Sequence, residues 1–184
     1  MNFLGASILV SLFVAFQAVA SGRADRAELS QRDLPAFREV GGGLYRAAQP
    51  TPKGFAHLKD RGFRTVINLR AQNDEEAVVR SLGMKYVHIP LSAWRHVPDE
   101  AIQTFFAVLS DAKTFPVLVH CERGADRTGV MVGFYRIAIQ GWSADKAYEE
   151  ARELGMRWWY WGLRNQLYEF ARSRKALEAP SRGE

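Results

Sequence analysis

From Leu44 onward, short runs of consecutive apolar residues alternate with longer stretches in which apolar positions return every third or fourth residue. The first pattern suits buried strands and the second suits helices. Leu44-Tyr45-Arg46-Ala47 predicts a short strand after a break at Gly41-Gly42-Gly43. In Pro50-Thr51-Pro52, the threonine can cap a helix whose first position is Pro52. That helix carries Phe55, Leu58 and Lys59 and stops near Gly62. Residues 64–69 predict a buried strand, and Asp74-Glu75-Glu76 opens a helix with acid at its N-terminus that ends before Gly83. Residues 85–90 form the next predicted strand. Pro98-Asp99-Glu100 starts a helix with Ile102, Phe105, Phe106 and Leu109 on one side. Residues 116–120 are an apolar strand that runs straight into Cys121. A helix from Gly129 to Gln140 follows, then two more from about Ser143 and about Trp158. Strands alternating with helices predict an α/β fold with a central, largely parallel sheet flanked by helices.

The ends read differently. Residues 3–20 carry no charge and close on Ala18-Val19-Ala20-Ser21, a small-x-small pattern suited to signal peptidase. Met1-Asn2 supplies no Lys or Arg, and the apolar run is long for a signal core, so a membrane anchor is the second reading. Either way the expected location is the periplasm or another exported compartment, free or tethered to the membrane by residues 3–20. Residues 21–40 are expected to be a polar tether, 41–175 the folded domain, and 176–184 a polar tail.

A net charge of +5 in 184 residues suits an anionic substrate or partner. No finger spacing or basic-aromatic alternation points to nucleic acid. A single cysteine excludes an intramolecular disulfide and a cysteine-based metal cluster. No histidine pair has zinc-ligand spacing, so neither metal nor cofactor is expected. His57 is read as a surface residue and His88 as a strand residue. The partner is expected to be anionic, and the protein a monomer. Trp158-Trp159-Tyr160-Trp161 reads as the apolar face of a terminal helix packed on the sheet, with a membrane-interface role as the other reading.

The most informative segment is His120-Cys121-Glu122-Arg123-Gly124-Ala125-Asp126-Arg127-Thr128-Gly129, set between a buried strand and an apolar helix. Ligands bind at such positions in α/β folds. Backbone N–H groups of a tight turn and the positive end of the next helix make an anion cradle. A thiol in such a cradle is stabilised as the nucleophilic thiolate. Arg127 would oppose the helix dipole unless an anion lies between them, and its planar fork suits two phosphate oxygens. Thr128 can donate its hydroxyl to the sulfur. His120 is read as a loop-shaping hydrogen-bond partner. Arg46, Arg70 and Arg123 are candidates for a basic rim, with Arg70 expected at the same sheet edge as Cys121, either on substrate or in a structural ion pair.

His-Cys-x-x-Gly-x-x-Arg-Thr-Gly resembles the signature of the protein tyrosine and dual-specificity phosphatases. Tyr45 to Pro50, Thr65 to Arg70, and Tyr135-Arg136 through Gln140-Gly141-Trp142 look like the small atypical branch, so roughly residues 40–155 are covered. The resemblance implies a metal-free phosphate monoesterase with Cys121 as nucleophile, Arg127 as phosphate clamp, Thr128 as helper, and Glu122, Arg123, Gly124, Ala125, Asp126 and Arg127 around the phosphate. Protein phosphotyrosine is the first expected substrate. Inositol phosphates, inositol pyrophosphates or phosphoinositides are the alternative, and a non-catalytic phosphate-binding module is a rival of another class. One departure stands out. The loop from Pro90 to Pro98, where the family usually carries its acid, has neither Asp nor Glu. The first acid is Asp99, 22 positions before Cys121. Asp126, in a pattern that resembles the myotubularin lipid phosphatases, is the other candidate and is preferred here over Asp99.

Overall fold

The computed structural model describes residues 31–178. The N-terminal segment read as export signal or anchor, the first part of the tether and residues 179–184 lie outside them. Five strands form one sheet in the order β1-β2-β5-β3-β4. These are β1 (Arg38–Gly41), β2 (Leu44–Ala47), β3 (Thr65–Asn68), β4 (Lys85–His88) and β5 (Val117–His120). The β1–β2 pair is an antiparallel hairpin, and every other pairing is parallel. The α/β expectation is met.

Among the described residues these α-helices follow β1 and β2 in the chain: α1 (Pro52–Asp60), α2 (Glu76–Ser81), α3 (Asp99–Ser110), α4 (Asp126–Gln140), α5 (Ala144–Glu153) and α6 (Trp161–Glu178). Thr51 caps α1 as expected, its hydroxyl accepting from the Gly54 N–H. The sheet is covered on both faces, which is why its central strands are apolar throughout. Val66 and Leu118 join Phe55, Leu58 and Met84 on one side. Ile67, Val117 and Val119, one step along in register, join Phe105, Met131 and Phe134 on the other. Burial at every position of β3 and β5 follows from this alternation between two cores.

Helix α4 is the central helix of the second layer. Eleven of its residues are buried, from Asp126 to Ile137. Helix α6 packs closely on it, because a Cβ on Gly133 would lie 2.6 Å from Leu167 Cδ2. A helix buried nearly all round is fixed in position and direction, so its N-terminus, where Cys121 enters, is fixed with it.

Two expectations are corrected. The stretch read as tether to residue 40 contains three of the four residues of β1, Leu34 is buried, and Arg136 donates to the Val40 carbonyl at 2.6 Å. These residues were polar in sequence because β1 is an edge strand with its arginine and glutamate outward. The tryptophan run is not a buried helix face. Only Tyr160 is buried, while Trp158, Trp159 and Trp161 are 59, 42 and 61 % exposed, and α6 begins at Trp161. Tyr160 has taken the inward position that the sequence pattern gave to the whole group. Among the described residues no helix is long and apolar enough to cross a membrane.

Candidate active site

Strand β5 lies between β2 and β3, with Val119 and His120 in register with Arg46 and Ala47 on one side and with Ile67 and Asn68 on the other. Cys121 therefore leaves the middle of the sheet at its carboxyl edge, and the chain turns through residues 122–125 into α4. Helix α4 starts at Asp126, three residues before the expected Gly129, so Asp126, Arg127 and Thr128 form its first turn. No side chain caps this helix at Ala125. Its first N–H groups remain open to an anion.

The loop is held from behind. The Glu122 carbonyl accepts from the Gln49 N–H at 3.2 Å, and the Gly124 carbonyl accepts from Arg46 Nη2 at 2.6 Å. In a trans peptide the next N–H points opposite the carbonyl. The amides of Arg123 and Ala125 are thereby turned away from β2. Gly124 is needed twice over: its φ is +66°, and a Cβ there would lie 2.6 Å from the backbone of Ala47.

A buried polar group underlies the loop. His120 is fully buried, with Nε2 at 2.8 Å from Glu75 Oε1. The other Glu75 oxygen accepts from Gln49 Nε2 at 2.7 Å and from Arg70 Nη1 at 3.2 Å. Burial alone would raise the Glu75 pKa, but His120, Gln49 and Arg70 together hold it below the ordinary value. Arg70 also donates through Nε to Glu122 at 2.9 Å and through Nη1 to Asp74 at 2.7 Å. The ion pair, one of its two expected roles, is present. Burial pulls its pKa down, and the contacts with Asp74, Glu122 and Glu75 more than reverse this. Arg46 is buried, and that burial lowers its pKa from the ordinary arginine value.

Glu75 is the residue that sequence reasoning missed. Asp74-Glu75-Glu76 read as helix-start acids, whereas α2 begins at Glu76 and Glu75 turns inward beneath His120. The signal for it was a histidine in an apolar strand, which requires a buried polar partner.

The expected site residues gather unequally. Cys121, Glu122, Arg123, Gly124, Ala125, Asp126, Arg127 and Thr128 lie on one continuous loop and helix turn. Cys121 is buried, and the Thr128 hydroxyl is buried without a hydrogen-bond partner. Arg127 Nη1 reaches the Leu69 carbonyl at 3.4 Å. Asp126 has both oxygens engaged: Oδ1 accepts from the Arg157 N–H at 2.8 Å, and Oδ2 lies 3.4 Å from Arg123 Nη1. Asp99 is exposed at the start of α3 and lines a groove with His96, Gln166, Glu169 and Ser173, which includes no residue of the loop. The segment before it is pinned to α6, since Val97 exchanges two hydrogen bonds with Gln166 at 2.8 and 2.6 Å.

Comparison with known proteins agrees with this geometry. Residues 11–157 match the family described as DSP-PTPase phosphatase fused to NAD+ kinase. The dual specificity protein phosphatase TpbA of Pseudomonas aeruginosa is 31 % identical over 112 residues, 61 % of this chain and 51 % of that protein. An inositol diphosphatase of Arabidopsis thaliana is 28 % identical over 130 residues, 66 % of this chain and 64 % of the relative. The crystal structure of TpbA superposes with a TM-score of 0.66 at 24 % identity, covering 78 % of this chain and 91 % of that one. The chain thus spans about half the length of TpbA. With a five-stranded, mostly parallel sheet that delivers this loop to a helix N-terminus, and a family match across most of its length, the chain belongs to the DSP-PTPase phosphatase family.

Proposed function

We propose that the protein hydrolyses phosphate monoesters through a phospho-cysteine formed at Cys121. The observation that carries this is the position of the chain's one cysteine, at the foot of an uncapped helix whose preceding loop turns its amides to one side. Cys121 Sγ attacks phosphorus in line and the ester oxygen departs; water then displaces the sulfur and releases phosphate. The loop amides and Arg127 stabilise the equatorial oxygens as charge shifts. Thr128 supports the second step. A buried hydroxyl without a partner costs about 1–3 kcal/mol, and donation to the departing thiolate recovers it. No metal enters this scheme.

Protein phosphotyrosine is the preferred substrate, on the likeness to TpbA. An inositol pyrophosphate is the second reading, and one observation favours it. Asp126 has both oxygens engaged and Asp99 lies in another groove, so neither candidate acid is free at the loop. A phosphoanhydride has a good leaving group and needs little protonation. Residues 3–20 are read as an export signal or anchor. Purified protein assayed in parallel on phosphotyrosyl peptides and on inositol pyrophosphates decides between the two. Turnover of the peptides at the higher kcat/KM is expected, and turnover of neither would contradict the phosphatase reading. An alkaline phosphatase fusion after residue 40 should be active in cells; an inactive fusion would contradict export.

A further inference from the structure

Four tryptophans are exposed on the edge of the sheet that carries the loop. Trp94 is 75 % exposed and follows β4 at its carboxyl end. Trp158, Trp159 and Trp161 come from the turn between α5 and α6. The two groups are joined, because the Trp94 ring meets Tyr160 edge-on at 4.8 Å between centroids. The turn in turn sits on the first turn of α4 through the Arg157 N–H and Asp126. Exposed tryptophans in one patch need a partner.

The cations beside them indicate which partner. Arg95 and Arg123 are exposed, and the Arg157 guanidinium stacks over Trp159 at 5.5 Å. Asp99 and Glu100 are exposed at the start of α3, after Trp94 and Arg95, while the other acids near the loop are paired. Asp74 and Glu122 pair with Arg70, and Asp126 with Arg123. Tryptophan rings interleaved with arginines suit the headgroup layer of a bilayer, where the ring is apolar on its face and donates through its N–H.

A second observation concerns where the chain enters the fold. The Pro35 carbonyl accepts from the Ala48 N–H at 2.8 Å, and the Asp33 carbonyl accepts from the Thr51 N–H at 3.0 Å. Ala48 follows Ala47, which is in register with His120. The described chain therefore begins at the same edge as the loop and the tryptophans. The uncharged stretch of residues 3–20 precedes it by only a dozen or so residues.

We infer that the rim formed by Trp94, Trp158, Trp159 and Trp161 with Arg95 and Arg157 docks on an anionic phospholipid surface, so that the phosphate loop faces the membrane. The apolar rings enter the headgroup layer and the arginines meet lipid phosphates. This goes beyond the reaction and does not depend on its substrate.

Residues 3–20 contain no tryptophan, so intrinsic fluorescence of the full chain reports on the domain even if that segment also binds lipid. The test mixes the full chain with phosphatidylcholine vesicles, with or without phosphatidylglycerol, that carry brominated acyl chains as quenchers. The expected result is tryptophan quenching that grows with phosphatidylglycerol content and weakens with added salt. The triple variant Trp94→Ser/Trp158→Ser/Trp161→Ser should lose most of that quenching while its circular dichroism stays that of the wild type. Arg95→Glu, which leaves every tryptophan in place, should reduce quenching in the anionic vesicles. Binding to vesicles without quenching would overturn the inference, since residues 3–20 alone would then be the contact. A raised KM for a phosphotyrosyl peptide in the triple variant, with quenching by Arg95→Glu unchanged from wild type, would also overturn it and make the rim a protein-substrate surface.

Discussion

The two flanks of the loop are built in opposite ways. On the β2–β3 flank, Arg46, Gln49, Arg70 and Glu75 bond to the loop or to His120 beneath it, and all four are buried or half-buried. On the β4–α3 flank, Trp94, Arg95 and His96 are exposed, and no carboxylate stands between Pro90 and Pro98. In the proposed reaction the phosphate end is thus fixed by the fold, while the leaving-group end is left open. Rigid placement belongs where charge develops in the transition state. An open flank suits a group that differs between substrates.

Breaking the rigid side should have the largest effect. Cys121→Ser should lower kcat on an aryl phosphate by on the order of 10⁴-fold or more while vanadate still binds, as measured by turnover and isothermal titration. Arg127→Ala should cost about 10²–10³-fold in kcat, the loss typical of one removed transition-state donor. Chelators should leave the wild-type rate unchanged.

Glu75→Gln sharpens the comparison, because it touches only the support of the loop. We expect kcat to fall by about tenfold and stability by about 1–3 kcal/mol, read from denaturant unfolding. The pH dependence gives the sign. The folded pKa of Glu75 lies below its ordinary 4.5, so its contribution is fully present above pH 4.5 and is lost as pH falls through the lowered value. Acid unfolding of Glu75→Gln should therefore fall less steeply below pH 4.5 than that of the wild type.

The smallest effects belong to the open side. Asp126→Asn should slow the enzyme by less than about tenfold and equally across aryl phosphates of graded leaving-group pKa, because Asp126 holds Arg157 and Arg123 in place. Asp99→Asn should change little. General-acid catalysis is typically worth about 10²–10⁴-fold and is felt most by poor leaving groups. Such a dependence in Asp126→Asn would restore it as the acid, and in Asp99→Asn would show that the α3 groove takes part.

The rigid side was the legible one. A short strand, Val117 to His120, that runs into Cys121, then Gly124, Arg127 and Thr128 at fixed spacing, is local information, and the fold placed it at the sheet edge as read. Arg46 and Glu75 were not legible in the same way. Each acts across a distance in sequence, 78 residues from Arg46 to Gly124, and a charged residue near a helix start has an ordinary explanation at hand. The tryptophans misled for a related reason. Aromatic residues in series look like a helix face, and only the packing of Tyr160 against the core decided which ring turned inward.

The central claim is the covalent step, and rapid acid quenching tests it most directly. Protein mixed with an aryl phosphate, quenched within one turnover and digested, should yield a phosphorylated peptide containing Cys121, absent in Cys121→Ser. Full turnover with no phosphate on that peptide, or undiminished activity in Cys121→Ser, would contradict it.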